Sequence, residues 1–265
     1  MIDETFERWP DFLEAVTSAT RDFESEWESG SAVPFFRGHA STSYKLAPGL
    51  FRPVNGLYYS PYDEANLYYE FRSRAGNLLG SELKSWEVLF YMQHHGVPTR
   101  LLDWSESFAA ALFFALKEAE QDIDIWFLDP YTYNKASCGT DEILDMDDDF
   151  EGDYKDYFVD QSLIPKWKHA VAVYPCRRIP RLSSQGGLFT IHADPEPLES
   201  TAADELRRFR LKASALQDAR QYLKVCGVND FSLFPDLDGL SRLLRSRFRP
   251  QNSPDLWAEN PQHSN

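Results

Sequence analysis

QHHGVPTRLLDWSESFAAALFFA, residues 93–115, decides how this chain folds. Its polar part, residues 93–107, lies between a segment that is apolar nearly all round, WEVLFYMQHH at 86–95, and a helix that we expect over 105–116. Helices that are apolar on every side are buried ones. An unpaired buried polar group costs about 1–3 kcal/mol. The polar side chains of this stretch must therefore be paired inside the protein or gathered at a binding site.

Helix-like and strand-like segments fill the rest of the chain. Apolar residues at helical spacing predict helices over 9–16, 62–79, 213–226 and 234–248, the last with Leu237, Leu240, Leu244 and Phe248 inward. Short apolar runs predict strands at 32–38, 123–129, 170–176, 187–192 and 205–211. We therefore predict one α+β domain over residues 1–249, helix-rich in its N-terminal half and packed on a mixed or antiparallel sheet. The tail at 250–265 is predicted to be mobile.

The composition favours a cytoplasmic protein that does not enter a membrane. The three cysteines, Cys138, Cys176 and Cys226, form no CxxC pattern and do not suggest a disulfide framework. The longest apolar run, 108–116, is too short to span a bilayer. The acidic N-terminus lacks the basic start and apolar core of a signal peptide.

The charge of the chain, −15 in total, is unevenly distributed. Residues 141–160 hold ten acids and one lysine, and we interpret them as an acidic surface insertion. Residues 207–249 hold ten bases and four acids, which predicts a local basic face. The overall balance argues against binding nucleic acid through bulk charge.

Two arginines suggest a pocket for a small anion. Arg37 follows the apolar strand that begins at residue 32, and Arg100 precedes the helix expected over 105–116. The start of a helix offers unpaired N–H groups and a positive dipole end to an anion. We expect Arg37 and Arg100 to form the pocket with the helix start at 103–107, together with Gly38, His95, Thr99, Ser105 and Ser107.

A structural explanation of the same residues remains open. In it Arg100 pairs with Asp103, and Asp103 or Ser105 caps the helix. A metal site at His94 and His95 is not expected, since adjacent helical residues point about 100° apart.

Five motifs resemble, in the same order, those of the FRG domain family of bacteria and phages. They are FFRG at 35–38, APGLFR at 47–52, residues 93–115 quoted above, SQGGLFTIH at 184–192 and FPDLDGL at 234–240. The resemblance spans about residues 33–245, with the acidic stretch 141–160 as an insertion.

The order of motifs is also similar, more distantly, to the ADP-ribosyltransferase fold, which implies NAD as the cofactor. By this resemblance Arg37 and Gly38 hold the nicotinamide end. The second element of that fold, a segment with small hydroxyl residues followed by a helix of Y/F-F-A type, corresponds to Ser105, Ser107 and the FFA at 113–115. The third element, a strand that carries the catalytic glutamate, falls near Gln185. A glutamate is expected where Gln185 stands, so transfer would need another carboxylate, Asp103 or Glu205.

Three functions therefore remain open. The first is an ADP-ribosyltransferase-like enzyme that binds NAD or another nucleotide, with Asp103 and Gln185 as catalytic candidates. The second is a non-catalytic binding or sensor module of a bacterial or phage defence system, which binds a small anion or a protein partner in the same pocket. The third, an enzyme that modifies nucleic acid, would need the basic face of residues 207–249.

Overall fold

A mixed sheet of eight strands forms the centre of the computed structural model, which describes residues 1–27, 32–79, 84–146, 149–150, 152–158, 168–175, 187–202 and 204–248. The strands are β1 (Ile2–Phe6), β2 (Phe35–His39), β3 (Leu101–Ser105), β4 (Ile123–Leu128), β5 (Leu144–Asp145), β6 (Ala170–Tyr174), β7 (Gly187–His192) and β8 (Leu206–Leu211). Their order is β1-β8-β4-β2-β3-β7-β6-β5. The β1–β8 and β5–β6 pairs are parallel, and the other pairs are antiparallel.

Helices cover the sheet, which confirms the predicted α+β class and the single domain. They are α1 (Trp9–Glu26), α2 (Pro61–Leu79), α3 (Ser85–His94), α4 (Phe108–Leu116), α5 (Pro130–Cys138), α6 (Leu198–Thr201), α7 (Leu216–Val225), α8 (Asp230–Leu233) and α9 (Leu237–Arg247). Short 3-10 turns occur at Gly49–Phe51, Tyr154–Phe158 and Ala213–Ala215. In the described ranges no helix combines the length and the apolar character that a membrane span requires.

Two apolar clusters cover one face of the sheet, and a third covers the other. Phe12 of α1 and Leu112 of α4 pack on β2, β4 and β8, whereas Phe90 of α3 packs on β3, β6 and β7. The third cluster contains the alternate residues of the same strands, such as Phe35 and Leu102. Alternation follows from the two-residue period of a strand.

The sheet is split in its middle, between β2 and β3. These strands share a single residue pair, Phe36 with Ser105, whereas β2–β4 and β3–β7 each pair along five residues. The two halves of the sheet therefore diverge beside Arg37 and Asp103.

The segment 97–107 folds differently from the sequence-based expectation. Leu101–Ser105 is the strand β3, not part of a connection, and α4 begins at Phe108 rather than at 105. The cap of α4 is Ser107, whose Oγ accepts a hydrogen bond of 3.3 Å from the amide of Ala110. The expected capping by Asp103 or Ser105 is thus wrong, because both lie in a strand that pairs with β7.

The C-terminal segment also departs from the prediction. The helix expected over 234–248 begins later, as α9 at Leu237, because Asp236 caps it and accepts from the amide of Gly239 at 2.7 Å. The short helix α8 precedes the expected range. Leu237 is 82% exposed, Leu244 43% and Phe248 71%, so the expected inward orientation of these three residues is wrong.

The acidic stretch 141–160 is not only a surface loop in its described part. Tyr154 is buried, and its backbone amide donates to Oγ of Ser85 at 2.7 Å. The indole of Trp86 donates to the carbonyl of Gly152 at 3.2 Å. This part of the insertion therefore packs on the start of α3.

Candidate functional site

A cavity of about 370 Å³ opens where β2 and β3 diverge, between α3 and α4. Its polar lining comes from Arg37, Gln93, His94, Asp103 and Ser105. Its apolar lining is mostly aromatic: Phe36, Trp104, Ala111, Phe114, Phe189 and Phe234, with Gly38 and Gly187. The volume lies within the range of small-ligand pockets, about 300–1,000 Å³.

Arg37 bridges the two diverging strands. Its Nη1 donates to the backbone carbonyl of Asp103 and lies 3.9 Å from the Oδ2 atom of the Asp103 carboxylate. Burial lowers the pKa of Arg37 to about 10, and the guanidinium is still charged at neutral pH because this value lies well above 7. Within the described residues its Nη2 has no hydrogen-bond partner. The side chain thus replaces a missing strand-to-strand bond and presents a charged edge to the cavity.

The Asp103 carboxylate is oriented by a short hydrogen-bond chain. Thr99 is buried, and its Oγ1 donates to Oε1 of Gln93 at 2.5 Å. The Nε2 atom of Gln93 donates to Oδ2 of Asp103 at 2.6 Å. Since the carboxylate can only accept, these bonds determine which way the Gln93 amide points. Asp103 is 57% exposed and faces the cavity mouth.

The glycine at position 38 is explained by helix packing and not by the approach of a ligand. A Cβ atom at this position would overlap the carbonyl oxygen of Ala111 and lie 2.9 Å from Cβ of Ala115. The glycine is therefore required for α4 to pack directly on β2. This close packing sets the position of one cavity wall.

Of the other residues predicted for the pocket in this segment, one lines the cavity and the others do not. Ser105 lines the cavity and accepts from the amide of Ser107 at 3.0 Å. Ser107 caps α4 and is exposed, and His95 is exposed at the end of α3. Neither Ser107 nor His95 belongs to the lining, and Thr99 acts on it only through Gln93.

Arg100 lies in another cavity, so the single pocket expected for both arginines is corrected here. Its guanidinium is held by both carboxylate oxygens of Glu64, at 2.6 and 2.5 Å, and donates to the carbonyl of His192 at 2.9 Å. Tyr154 donates to the same Glu64. The structural alternative, a pair between Arg100 and Asp103, is also wrong, because the partner is Glu64 from α2.

Gln185, a catalytic candidate from the sequence, lies outside the described residues. The other candidate carboxylate, Glu205, is placed away from Arg37 and Asp103. Glu205 lines a separate hollow beside α1, together with Asp129 and Arg207.

Sequence reasoning missed most of the aromatic lining. Phe114 and Phe234 meet edge to face with ring centroids 6.0 Å apart, and Phe234 comes from the motif FPDLDGL. A Cβ atom at Gly239 would overlap the carbonyl oxygen of Phe234, so the glycine of this motif allows α9 to close against it. The motif itself was the available signal, but only the tertiary structure brings it to Arg37.

The basic stretch 207–249 is paired within its described part. Arg207, Arg208, Arg210, Lys212 and Arg242 form ion pairs with Asp22, Asp3, Asp124, Asp122 and Asp230. Much of the positive charge seen in the sequence is thus compensated locally. Among the described residues, no group of three or more His, Cys, Asp or Glu side chains is placed to hold a metal ion.

Comparison with known families identifies the class of domain that builds the cavity. Residues 33–123 match the family model of the FRG domain. These residues are therefore similar to the FRG domain, and the matched range includes β2, α2, α3, β3 and α4. No curated protein and no solved structure matches the chain.

Proposed function

We propose that this FRG domain binds a nucleotide, with NAD as the first candidate, in the cavity between β2 and β3. The observation that carries the proposal is the Arg37 guanidinium, charged and largely buried, with an edge open to a cavity whose other walls are aromatic. Aromatic rings stack on planar heterocycles, and a guanidinium fork binds phosphate or carboxylate oxygens. A nucleotide contains both kinds of group.

An ADP-ribosyltransferase-like reaction is consistent with Asp103 at the cavity mouth. Bound NAD would supply an activated glycosidic bond, which breaks with its electron pair leaving on nicotinamide while an acceptor atom bonds to the ribose carbon. Asp103 would take the proton of the acceptor, since its Oδ1 accepts no hydrogen bond from any described residue and the side chain is exposed. Gln93 and Thr99 would act as positioning residues for this carboxylate.

A non-catalytic binding or sensor module is the second candidate function. It is favoured by Gln185, which stands where the transferase resemblance expects a glutamate. It is also favoured by the Gln93 amide, whose hydrogen bond of 2.6 Å engages one oxygen of the carboxylate that an enzyme would need as its base. A role in bacterial or phage defence belongs to this candidate.

Calorimetric titration with NAD and with ADP-ribose tests the binding. We expect Phe234→Ala to weaken binding by about tenfold or more, because it removes a cavity wall worth about 1–3 kcal/mol in a stacking contact. Phe231→Ala is the matched control, since Phe231 is 40% exposed in α8 and does not line the cavity. Absence of binding to the wild type at millimolar ligand would refute the proposal.

Asp103→Asn separates the two candidates. It preserves the shape of the side chain and removes its basicity. An enzyme would lose the ADP-ribose adduct seen by intact mass analysis and retain NAD binding within a few fold. A binding module would show no adduct in either protein and equal activity of both in cells.

A further inference from the structure

His39 lies between two side chains that can only donate hydrogen bonds. The indole Nε1 of Trp126 lies 3.1 Å from its Nδ1 atom, and Nε of Arg37 lies 3.3 Å from its Nε2 atom. A neutral imidazole has one acceptor nitrogen, and a protonated one has none. One of the two contacts therefore has no acceptor.

The neighbours of His39 keep its ring neutral. Burial lowers its pKa to about 2, and the charges of Arg37 and Arg52 contribute to the shift. The contact with Trp126 is the shorter one and is fully buried, so Nδ1 holds the lone pair and Nε2 carries the proton. The Nε2–H group of His39 and the Nε–H group of Arg37 then face each other, although His39 is only 3% exposed.

Arg52 adds a second positive charge near His39 and Arg37. Its Nε donates to the carbonyl of Ala47 at 2.7 Å, while its Nη1 and Nη2 bond to nothing within the described ranges. Arg52 forms no ion pair there either, and its charge acts on both Arg37 and His39. Among the residues that the structure describes, Asp103 is the carboxylate whose charge acts on both arginines. Two cations and a buried N–H donor thus share one anion, in a protein with net charge −15.

We propose that His39, Arg37 and Arg52 form an oxyanion subsite that takes a phosphate group of the nucleotide. An oxygen of the phosphate accepts from Nε2–H of His39 and from Arg37, and the positive charge of Arg52 balances the second negative charge. Such an oxygen supplies the acceptor that the contacts of His39 lack. The inference rests on the proposed nucleotide function and assigns the phosphate end of the ligand.

Titration of the full chain with inorganic pyrophosphate tests the subsite without a base or a ribose. We expect pyrophosphate to bind the wild type and Arg52→Gln to weaken its binding about tenfold, because one of the two positive charges beside the anion is lost. Arg21→Gln is the matched control, because Arg21 is an exposed arginine of α1 and the variant changes the net charge equally. Adenosine should bind Arg52→Gln and the wild type alike.

Nitrogen NMR of the imidazole gives a second readout at the buried residue. The expected spectrum shows His39 with a bare Nδ1 and a protonated Nε2, and the Nε2–H signal shifts as pyrophosphate is added. No binding of pyrophosphate, equal affinities of Arg52→Gln and Arg21→Gln, or an unchanged Nε2–H signal at saturation would each overturn the subsite.

The outcomes also distinguish this inference from the proposed function. If ADP-ribose binds wild type and Arg52→Gln equally and Phe234→Ala abolishes binding, the nucleotide function stands and the subsite is refuted. If pyrophosphate binds as expected while NAD and ADP-ribose bind no better than pyrophosphate, the subsite stands and the nucleotide function is refuted.

Discussion

Gly38 shows how a single residue sets the geometry of the cavity. Its hydrogen atom faces the backbone of Ala111, so β2 and α4 approach more closely than any side chain would allow. The neighbouring Arg37 is placed by the same strand and reaches across the gap to the carbonyl of Asp103. The Arg-Gly pair therefore combines a packing requirement with a charged group at one position of the sheet.

Gly38→Ala should destabilise the domain by about 3 kcal/mol, because the added Cβ atom meets backbone that cannot move aside without shifting α4. Urea unfolding followed by circular dichroism measures the change. Gly76→Ala is the control: Gly76 lies inside α2 with open space around it, and alanine there should stabilise the helix by about 0.5–1 kcal/mol. Equal effects of the two substitutions would contradict the packing argument.

At the scale of elements, the acidic segment and α2 and α3 form one unit. The Glu64 carboxylate of α2 accepts from Arg100 and from the hydroxyl of Tyr154, so the insertion completes a buried ion pair. Ser85, at the start of α3, joins the same segment through Asp153 at 3.0 Å. An acidic surface insertion was the natural interpretation of the sequence, because its aromatic residues are outnumbered by carboxylates.

Tyr154→Phe should lower the free energy of unfolding by about 1–3 kcal/mol, since it removes a hydrogen bond to a buried carboxylate and retains the ring. Thermal and urea unfolding both report the loss. Tyr62→Phe removes a hydroxyl from a side chain that is 75% exposed and should change stability by less than about 0.5 kcal/mol. A Tyr154→Phe protein as stable as the control would mean that the insertion does not anchor Glu64.

At the scale of the whole molecule, two buried histidines couple stability to pH. Burial lowers the pKa of His39 to about 2 and that of His192 to about 3, with Arg37 and Arg100 adding to the respective shifts. The unfolded chain takes up these protons near pH 6.5, whereas the folded protein does not. Their contribution to stability is therefore complete above pH 6.5 and is lost as pH falls below it.

Each histidine should contribute a slope of about 1.4 kcal/mol per pH unit well below pH 6.5, down to its folded pKa. Urea unfolding at a series of pH values from 7 to 4.5 measures this slope. His192→Gln should reduce it by about half of the histidine contribution, and His95→Gln should leave it unchanged, because His95 is exposed. An identical pH dependence in all three proteins would refute the assignment.

Several elements were predictable because their signal is local. The strand at Phe35–His39, the buried helix α3 and the strands β4, β7 and β8 follow from apolar period and turn residues alone. The strand β3 was not recognised, since its residues Leu101–Ser105 carry polar groups that resemble a loop. Pairing with β7, from residues far away in sequence, makes it a strand.

The sequence by itself determined the α+β class, the FRG motif at Arg37 and Gly38, and the importance of residues 93–107. Only the tertiary structure decided that Arg100 turns to Glu64 while Arg37 turns to Asp103. It also brought Phe234 to the cavity and set His39 between two donors. The physical reason is that a charge inside the protein must be paired, and the partner that is close in space is unrelated to the one that is close in sequence.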